Sequence, residues 1–204
     1  MNDNKIVSHI GSLPITSSKN KTFWHSRRSI PHYDPGYGYQ MITYRLADAL
    51  PRHVVQEIFN NKTHEKHKLS DVEKYLDRHY GSCILSKPEI AQIVIDNWHW
   101  FDEQRYKLHA FVVMPNHVHL LIRVFEGNAL SHIIHGWKSY TANRIKQFVR
   151  APTTIWQADY WDRFIRDQDH FNRVVEYIHY NPVKAGICEK PSYWPYSSAF
   201  EYKK

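Results

Sequence analysis

The chain has 204 residues and a formal net charge of +7, and this length fits one domain with a sizeable core. No window reaches the roughly 18 apolar residues of a membrane span, and the start of the chain lacks the apolar segment of a secretion signal. Cys83 and Cys188 stand outside any CxxC pattern, which is typical of free thiols in a reducing compartment. These features exclude membrane-spanning and disulfide-rich secreted classes, and we expect a cytoplasmic protein without a membrane partner.

Aromatic residues make up 15% of the chain, and they occur together with a positive net charge. Cations neutralise phosphates and aromatic rings stack on unpaired bases, so this combination favours a nucleic-acid partner. The alternative is a basic protein with a large aromatic core, and net charge alone separates the two interpretations only weakly.

Residues 1–35 show no sustained hydrophobic period, and we interpret them as a loosely ordered basic N-terminal arm. Arg27 and Arg28 follow two aromatic residues in this arm and are candidate DNA contacts. Residues 36–204 are expected to form the folded domain, with a C-terminal helical and aromatic extension.

Aromatic and β-branched residues alternate over Tyr37–Leu46, which predicts the first strand. Residues 51–80 predict two helical segments separated near Asn60 and Asn61. Ser86-Lys87-Pro88-Glu89 is a helix-start pattern, because Ser suits the N-cap, Pro the first turn and an acid the helix dipole.

The most informative stretch is Ala110–Val124, AFVVMPNHVHLLIRV, in which two apolar runs flank a tight turn at Pro115-Asn116. A β-hairpin over residues 106–124 is therefore predicted. Residues two apart on a strand point to the same face, so His117 and His119 project side by side. The residues alone leave two interpretations open, a metal-ligand pair or two hydrogen-bonded structural histidines.

Apolar residues recur at intervals of three and four over Ala129–Val149, which predicts a helix packed on the sheet. Tyr140 lies at the edge of this apolar stripe, about 60° from Trp137. The helix contains no acidic residue, which makes three of its basic residues candidate phosphate contacts: Lys138, Arg144 and Lys146.

Tyr160–Arg166 predicts a further strand, and Asp167–Tyr180 an amphipathic helix that Asn181-Pro182 ends. Strands and helices are interspersed without regular βαβ alternation, so the predicted fold class is α+β.

The string MPNHVHLL resembles the His-hydrophobic-His motif of the HUH single-tyrosine transposases, and in particular the REP-associated tyrosine transposases. The stretches RRSIPHYDPGYGYQMITYRLADALP, GWKSYTANRI and WQADYWDRFIRDQDHFNRVVEYIHYNPVKAGI resemble other parts of the same subgroup, so the resemblance spans roughly residues 27–200. It implies an antiparallel sheet with helices packed on it, the ferredoxin-like core of HUH nucleases.

The resemblance also implies a site. It assigns the nucleophile to Tyr140, which would form a 5′-phosphotyrosine, and the metal ligands to His117 and His119. The implied cofactor is Mg²⁺ or Mn²⁺, which prefers an oxygen ligand beside the imidazoles. Family members commonly place Asn or Gln about one turn after the tyrosine, but that position is Arg144 here. Asn143, three residues on, and Gln147, seven residues on, are then both candidate third ligands, and Asn143 is favoured.

The resemblance further implies single-stranded DNA hairpins, formed by REP-like palindromes, as partners, for either a monomer or a homodimer. Arg163 could contact that DNA or belong to an internal set of ion pairs with Asp162 and Arg166. The leading hypothesis is a metal-dependent single-strand DNA endonuclease and strand transferase. The alternatives are a hairpin-binding protein with weak or no catalysis and a zinc-stabilised protein unrelated to DNA.

Overall fold

The computed structural model describes residues 24–25, 30–51, 53–56, 72–149 and 154–201. Residues 53–56 and 72–76 are helical, and the predicted separation near Asn60 and Asn61 lies outside the described residues. The strands are β1 (Trp24–His25), β2 (His32–Tyr33), β3 (Gly38–Arg45), β4 (Tyr106–Val113), β5 (His117–Val124) and β6 (Trp161–Phe164). The helices are α1 (Pro88–Trp100), α2 (Leu130–Ile145), α3 (Gln168–Lys184) and α4 (Ser198–Glu201).

Four strands form one antiparallel sheet in the order β4-β5-β3-β6. The predicted hairpin supplies β4 and β5, and its turn is closed by the Met114 N–H, which donates to the His117 carbonyl at 2.9 Å. The first predicted strand becomes β3, which pairs with β5 so that Thr43 lies opposite His119 and Arg45 opposite His117. The α+β prediction, an antiparallel sheet with helices packed on it, is confirmed.

The two faces of this sheet are covered by different helices. On one face, the β5 residues Val118, Leu120 and Ile122 pack in a cluster with apolar residues of α1 and α2. On the other face, Leu121 of β5 packs in a second cluster with Phe171 of α3 and its neighbours. We call these the α1/α2 face and the α3 face. Because side chains alternate along β5, His117 and His119 lie on the α3 face with Leu121.

The α1/α2 face is built around large aromatic side chains whose polar atoms are hydrogen-bonded. The indole N–H of Trp98 donates to the Tyr44 hydroxyl at 3.1 Å, and that of Trp137 donates to the Tyr106 hydroxyl at 3.0 Å. The Tyr106 hydroxyl in turn donates to the Trp98 carbonyl at 2.6 Å. Buried rings contribute a large apolar area, and satisfied polar tips avoid the cost of an unpaired donor.

The prediction that Asn181-Pro182 ends the last long helix is wrong, because α3 continues through Pro182 to Lys184. Proline lacks the N–H that would bond four residues back, but near a helix end this costs only one hydrogen bond. Two hydrogen bonds hold the turn after Pro182. The Ala185 N–H donates to the Asn181 carbonyl at 3.0 Å, and the Ile187 N–H donates to the Pro182 carbonyl at 2.9 Å. Asn181 is therefore a helical residue, one turn after Tyr177.

Other boundaries differ by a few residues. The helix α2 is shorter than predicted and ends at Ile145, and β6 is shorter than Tyr160–Arg166. Ser86 does not cap α1, since Lys87 is the N-cap residue and the Ser86 hydroxyl donates to the Cys83 carbonyl. Pro88 is the first helical residue, in agreement with its preference for that position.

Within the predicted N-terminal arm, β1 and β2 form a short antiparallel ladder, with Trp24 opposite Tyr33. Residues 1–23 and 26–29, which include Arg27 and Arg28, lie outside the described residues. Among the helices in the described ranges, none combines the length and apolar character needed to cross a membrane.

Candidate active site

The two predicted metal ligands meet on the α3 face near one end of β5. The Nε2 atoms of His117 and His119 are 3.2 Å apart, and the rings are nearly perpendicular, at 82°. Both side chains are buried, with exposed fractions of 1% and 0%. The strand thus supplies two neighbouring imidazoles whose Nε2 atoms converge on one point.

The orientation of each ring is fixed by a hydrogen bond to its other nitrogen. The side-chain amide of Asn116 donates to the carbonyls of Leu76 and Tyr80, at 3.3 and 3.1 Å, which turns its oxygen toward His117. That oxygen accepts from His117 Nδ1 at 2.8 Å, so the His117 proton lies on Nδ1 and Nε2 keeps its lone pair. The Nδ1 atom of His119 is bonded to the Thr43 hydroxyl at 2.7 Å.

Both imidazoles are held in the neutral form. Burial lowers the pKa of His119 to about 3, with a smaller effect from the Lys184 ammonium. Burial also lowers the pKa of His117 well below its ordinary value, and the neighbouring His119, His79 and Lys184 lower it further. A neutral imidazole is the form that ligates a metal ion.

The residues present fit a divalent cation. Two nitrogens that each ligate one ion at about 2.1 Å lie roughly 3 Å apart at ordinary ligand angles, close to the 3.2 Å between the two Nε2 atoms. Asn181 is 1% exposed, and both polar atoms of its side-chain amide are buried without a hydrogen-bond partner. No cluster of three His, Cys, Asp or Glu with metal-ligand geometry occurs in the described ranges, so an oxygen ligand must come from another residue type.

A tyrosine approaches the histidine pair from α3. The ring of Tyr177 lies edge-on to that of His119, with centroids 5.3 Å apart and an interplanar angle of 75°. Its hydroxyl lies near the Glu73 carboxylate and the Asn181 amide, close enough for an electrostatic effect but without hydrogen-bond geometry. Burial, followed by the charge of Glu73, raises the pKa of the Tyr177 hydroxyl above its ordinary value.

Charged groups from two elements surround this tyrosine. The Lys184 ammonium lies 5.9 Å from the Tyr177 ring centroid and forms an ion pair with Asp77 at 2.9 Å. Glu73 is in the helical residues 72–76, and burial raises its pKa although Tyr177 and Lys184 act in the opposite direction. The ion pair and the two hydrogen bonds of Asn116 hold residues 72–80 against α3 and the β4–β5 turn.

These contacts close the site. Because His117, His119 and Asn181 are each at most 1% exposed, a phosphate group can reach them only if α3 or residues 72–80 move outward. The contacts that hold this cover include the partly exposed Lys184–Asp77 ion pair and the buried side chains of Val72, Leu76 and Ile178.

Tyr140, the predicted nucleophile, does not lie at this site. It is 53% exposed on α2, and α2 packs on the α1/α2 face through buried residues that include Trp137 and Ile145. The sheet therefore separates Tyr140 from the histidine pair. Asn143 and Arg144 are exposed on the same helix and are equally separated from His117 and His119.

The other predicted contacts are divided between the two faces. The Lys138 ammonium donates to the carbonyls of Ala158 and Asp159, at 2.9 and 3.0 Å, so it supports a loop on the α1/α2 face. Lys146 is exposed just after α2. Arg163 is on β6 opposite Met41 of the α3 cluster, and it lines a cleft beside Tyr177.

His109, considered from sequence as a possible neighbour of the metal ligands, lies between the rings of Tyr39 and Phe171, each 5.3 Å away. It lies at an irregularity of β4, between Leu108 opposite Ile122 and Ala110 opposite Leu121, toward the far end of β5 from His117. Its role in the structure is packing in the α3 cluster.

Sequence reasoning missed Tyr177, Asn181, Asn116 and Thr43. The signal for the first two was present, because EYIHYN places an amide four residues after a tyrosine, the spacing that the resemblance implies for the nucleophile and its neighbour. The prediction that Asn181-Pro182 ends the helix removes Asn181 from the helical register and so hides this signal. Asn116 and Thr43 act through hydrogen bonds that depend on tertiary structure.

Comparison with known proteins shows which families this chain resembles. Residues 87–181 match the family model described as "Transposase IS200 like", a range that contains the histidine pair, Tyr177 and Asn181. A REP-associated tyrosine transposase of Escherichia coli is 32% identical over 98 residues, which cover 47% of this chain and 56% of that protein. A Haemophilus influenzae protein that carries the same designation provisionally is 30% identical over 99 residues, 44% of this chain and 56% of that protein.

The chain thus spans little more than half the length of these relatives. A solved structure of a REP-associated tyrosine transposase bound to a REP hairpin covers 85% of this chain and 81% of its own, with a TM-score of 0.56 and 21% identity. That likeness concerns the fold. Together the matches confirm the resemblance to the REP-associated tyrosine transposases that the sequence motifs indicated.

Proposed function

We propose that the chain is a metal-dependent single-strand DNA endonuclease and strand transferase of the transposase type, with Tyr177 as its nucleophile. The observation that carries this proposal is the contact of Tyr177 of α3 with His119, which itself meets His117, while the buried Asn181 lies one helical turn after Tyr177. The proposed substrate is a single-stranded DNA hairpin formed by a REP-like palindrome, which the names of the relatives and of the solved complex support. We expect this activity in the cytoplasm, from either a monomer or a homodimer.

His117 and His119 would hold the cation through Nε2, and the buried amide oxygen of Asn181 would complete the ligand set. Mg²⁺ and Mn²⁺ prefer oxygen, so an amide beside two imidazoles suits them better than imidazoles alone. When bound, the cation polarises the scissile phosphate and offsets the negative charge that develops on its oxygens. Asn116 keeps the His117 ring in the ligating tautomer, and the Thr43 hydroxyl fixes the orientation of the His119 ring.

The Tyr177 oxygen attacks phosphorus and loses its proton. The bond between phosphorus and the 3′ oxygen breaks, that oxygen takes up a proton, and the 5′ phosphate remains bound to Tyr177. The covalent link preserves the energy of the broken phosphodiester, so a 3′-hydroxyl can attack it and rejoin strands without ATP. Lys184, whose ammonium is 5.9 Å from the Tyr177 ring centroid, contributes positive charge near the reacting groups.

The choice of Tyr177 also removes a discrepancy in the sequence. Four residues after Tyr140 is Arg144, where the resemblance implies Asn or Gln, whereas four residues after Tyr177 is Asn181. The absence of that amide beside Tyr140 is the main argument for a hairpin-binding protein with weak or no catalysis. With Tyr177 as the nucleophile, Asn181 supplies the amide and this argument no longer applies.

The test is a labelled palindromic single strand incubated with the protein and Mn²⁺. We expect a covalent, heat-stable protein–DNA adduct that disappears in Tyr177→Phe and persists in Tyr140→Phe, the matched control on the opposite face. Chelation of Mn²⁺ should abolish adduct formation in the unmodified protein.

Two results would contradict the proposal. Hairpin binding without an adduct at several divalent metals would favour a DNA-binding protein that does not cleave. An adduct that survives Tyr177→Phe and is lost in Tyr140→Phe would return the nucleophile to α2.

A further inference from the structure

A cleft of about 360 Å³ lies beside Tyr177, between β6 and the first half of α3. Met41 and Val174 give it apolar lining, and Tyr177 lines it as well. Tyr177 also contacts His119, so this one side chain connects the cleft to the histidine pair. Three basic side chains line the same cleft: Arg163, His170 and Arg173.

The two arginines have their hydrogen-bond donors available. Both side chains are exposed, and within the described ranges neither guanidinium takes part in a hydrogen bond or an ion pair. Asp162, the acidic neighbour of Arg163 in sequence, instead accepts from His32 Nδ1 at 2.5 Å and from the Tyr33 N–H at 2.9 Å. A guanidinium presents five donors in a planar fork that matches phosphate oxygens.

The cleft carries a surplus of positive charge. Burial lowers the pKa of His170, and Arg163, Arg173 and Arg166 lower it further, while the Asp167 carboxylate opposes them. Asp167 is itself engaged as the cap of α3, where it accepts from the His170 N–H at 2.7 Å. Glu73 is the acidic residue that lines the cleft, and the charges of Lys184 and Arg163 act on it.

We propose that this cleft binds the sugar–phosphate backbone of the single DNA strand that runs to the bond cut at Tyr177, with Arg163 and Arg173 each contacting a phosphate. This inference rests on the proposed function and specifies where its substrate lies. The arginines flank a path that ends at the tyrosine, so phosphates bound there would deliver the next phosphodiester to the histidine pair.

The test measures binding apart from cleavage. Fluorescein-labelled oligothymidylate is titrated in EDTA with a Tyr177→Phe protein, with and without Arg163→Gln and Arg173→Gln together, over a range of salt concentrations. Each neutralised phosphate of a single strand contributes about 0.7 to the slope of log affinity against log salt. We expect the double glutamine variant to lower that slope by about 1.4 and to weaken binding at low salt.

Two matched variants complete the design. Arg105→Gln with Arg123→Gln removes the same charge from two exposed arginines that do not line the cleft, one over Phe101 and one over Tyr39, and should leave the slope unchanged. Arg163→Lys with Arg173→Lys keeps the charge and should keep most of the slope, which a purely structural role of the guanidinium groups would not predict. Circular dichroism melts check that all variants fold.

Equal slopes for the cleft and control pairs would overturn the inference. The Tyr177-dependent adduct, measured separately on proteins with Tyr177 intact, tests the proposed function. An adduct together with equal slopes would reject the cleft alone, whereas a slope change without an adduct would support the cleft and reject the cleavage activity.

Discussion

The two faces of the sheet use their buried residues in opposite ways. On the α1/α2 face, Trp98 and Trp137 are fully packed and their N–H groups find hydroxyl partners. On the α3 face, two imidazoles and the amide of Asn181 are buried, and both polar atoms of that amide lack partners. Unsatisfied buried polar groups cost stability, so they persist where they serve a function. The α3 face therefore carries the candidate site at some cost in stability.

The largest expected effect is on the stability of the α1/α2 face. Trp137→Ala should lower the free energy of unfolding by about 3–5 kcal/mol, because it opens a cavity and leaves the Tyr106 hydroxyl with one partner fewer. Urea denaturation, monitored by circular dichroism, measures this change in the free energy of unfolding. The control Tyr140→Ala, on the exposed side of the same helix, should change the value by no more than about 0.5 kcal/mol. Equal losses in the two variants would show that α2 does not pack as described.

The second effect concerns metal affinity on the α3 face. Thr43→Val removes the hydroxyl that is bonded to His119 Nδ1 at 2.7 Å, and loss of such a partner typically weakens metal binding about 10–100-fold. Mn²⁺ titration calorimetry measures the change. Thr141→Val is the matched control, since the Thr141 hydroxyl donates to the Trp137 carbonyl and accepts from the Trp156 N–H on the other face. It should reduce stability without changing Mn²⁺ affinity.

A smaller effect should have opposite signs for stability and activity. Asn181→Leu replaces a buried amide without partners by an apolar side chain, so the metal-free protein should gain about 1 kcal/mol in its free energy of unfolding. The same variant should lose the covalent DNA adduct, because a ligand is missing. Asn172→Leu, exposed on the same helix, should leave the adduct intact. A destabilised Asn181→Leu protein would mean that the amide has partners in solution.

A further expected effect is the pH dependence of stability from buried histidines of the α3 side. Burial lowers the pKa of His109 and of His179 to about 4. The unfolded chain, with an ordinary histidine pKa near 6.5, therefore binds more protons than the folded one between these values. Their contribution to stability is complete above about pH 6.5 and decreases as the pH falls toward about 4.

Denaturant unfolding at several pH values measures this slope. His179→Gln should reduce the loss of stability on acidification, since the unfolded chain then takes up one proton fewer. His135→Gln, exposed on α2, is the control and should leave the slope unchanged. A steeper loss in His179→Gln than in the unmodified protein would contradict the assignment.

The sequence by itself determined the elements and half of the site. Two apolar runs around Pro115-Asn116 fixed the hairpin, and the two-residue spacing of His117 and His119 fixed their common side, because both follow from the local geometry of a strand. The resemblance to the REP-associated tyrosine transposases supplied the chemistry to look for. The hairpin and the common side of the two histidines depend on residues that are close in sequence, so they can be predicted from the sequence.

Tertiary structure decided which tyrosine meets the histidines. Both Tyr140 and Tyr177 lie on amphipathic helices that follow the hairpin, and helical periodicity does not reveal which face of the sheet a helix will cover. That depends on the strand order, with β6 at the edge beside β3, and on the return of α3 across the face opposite α2. Likewise, local rules predict that the last long helix ends at Asn181-Pro182, whereas α3, packed against the sheet, continues to Lys184 and keeps Asn181 one helical turn after Tyr177.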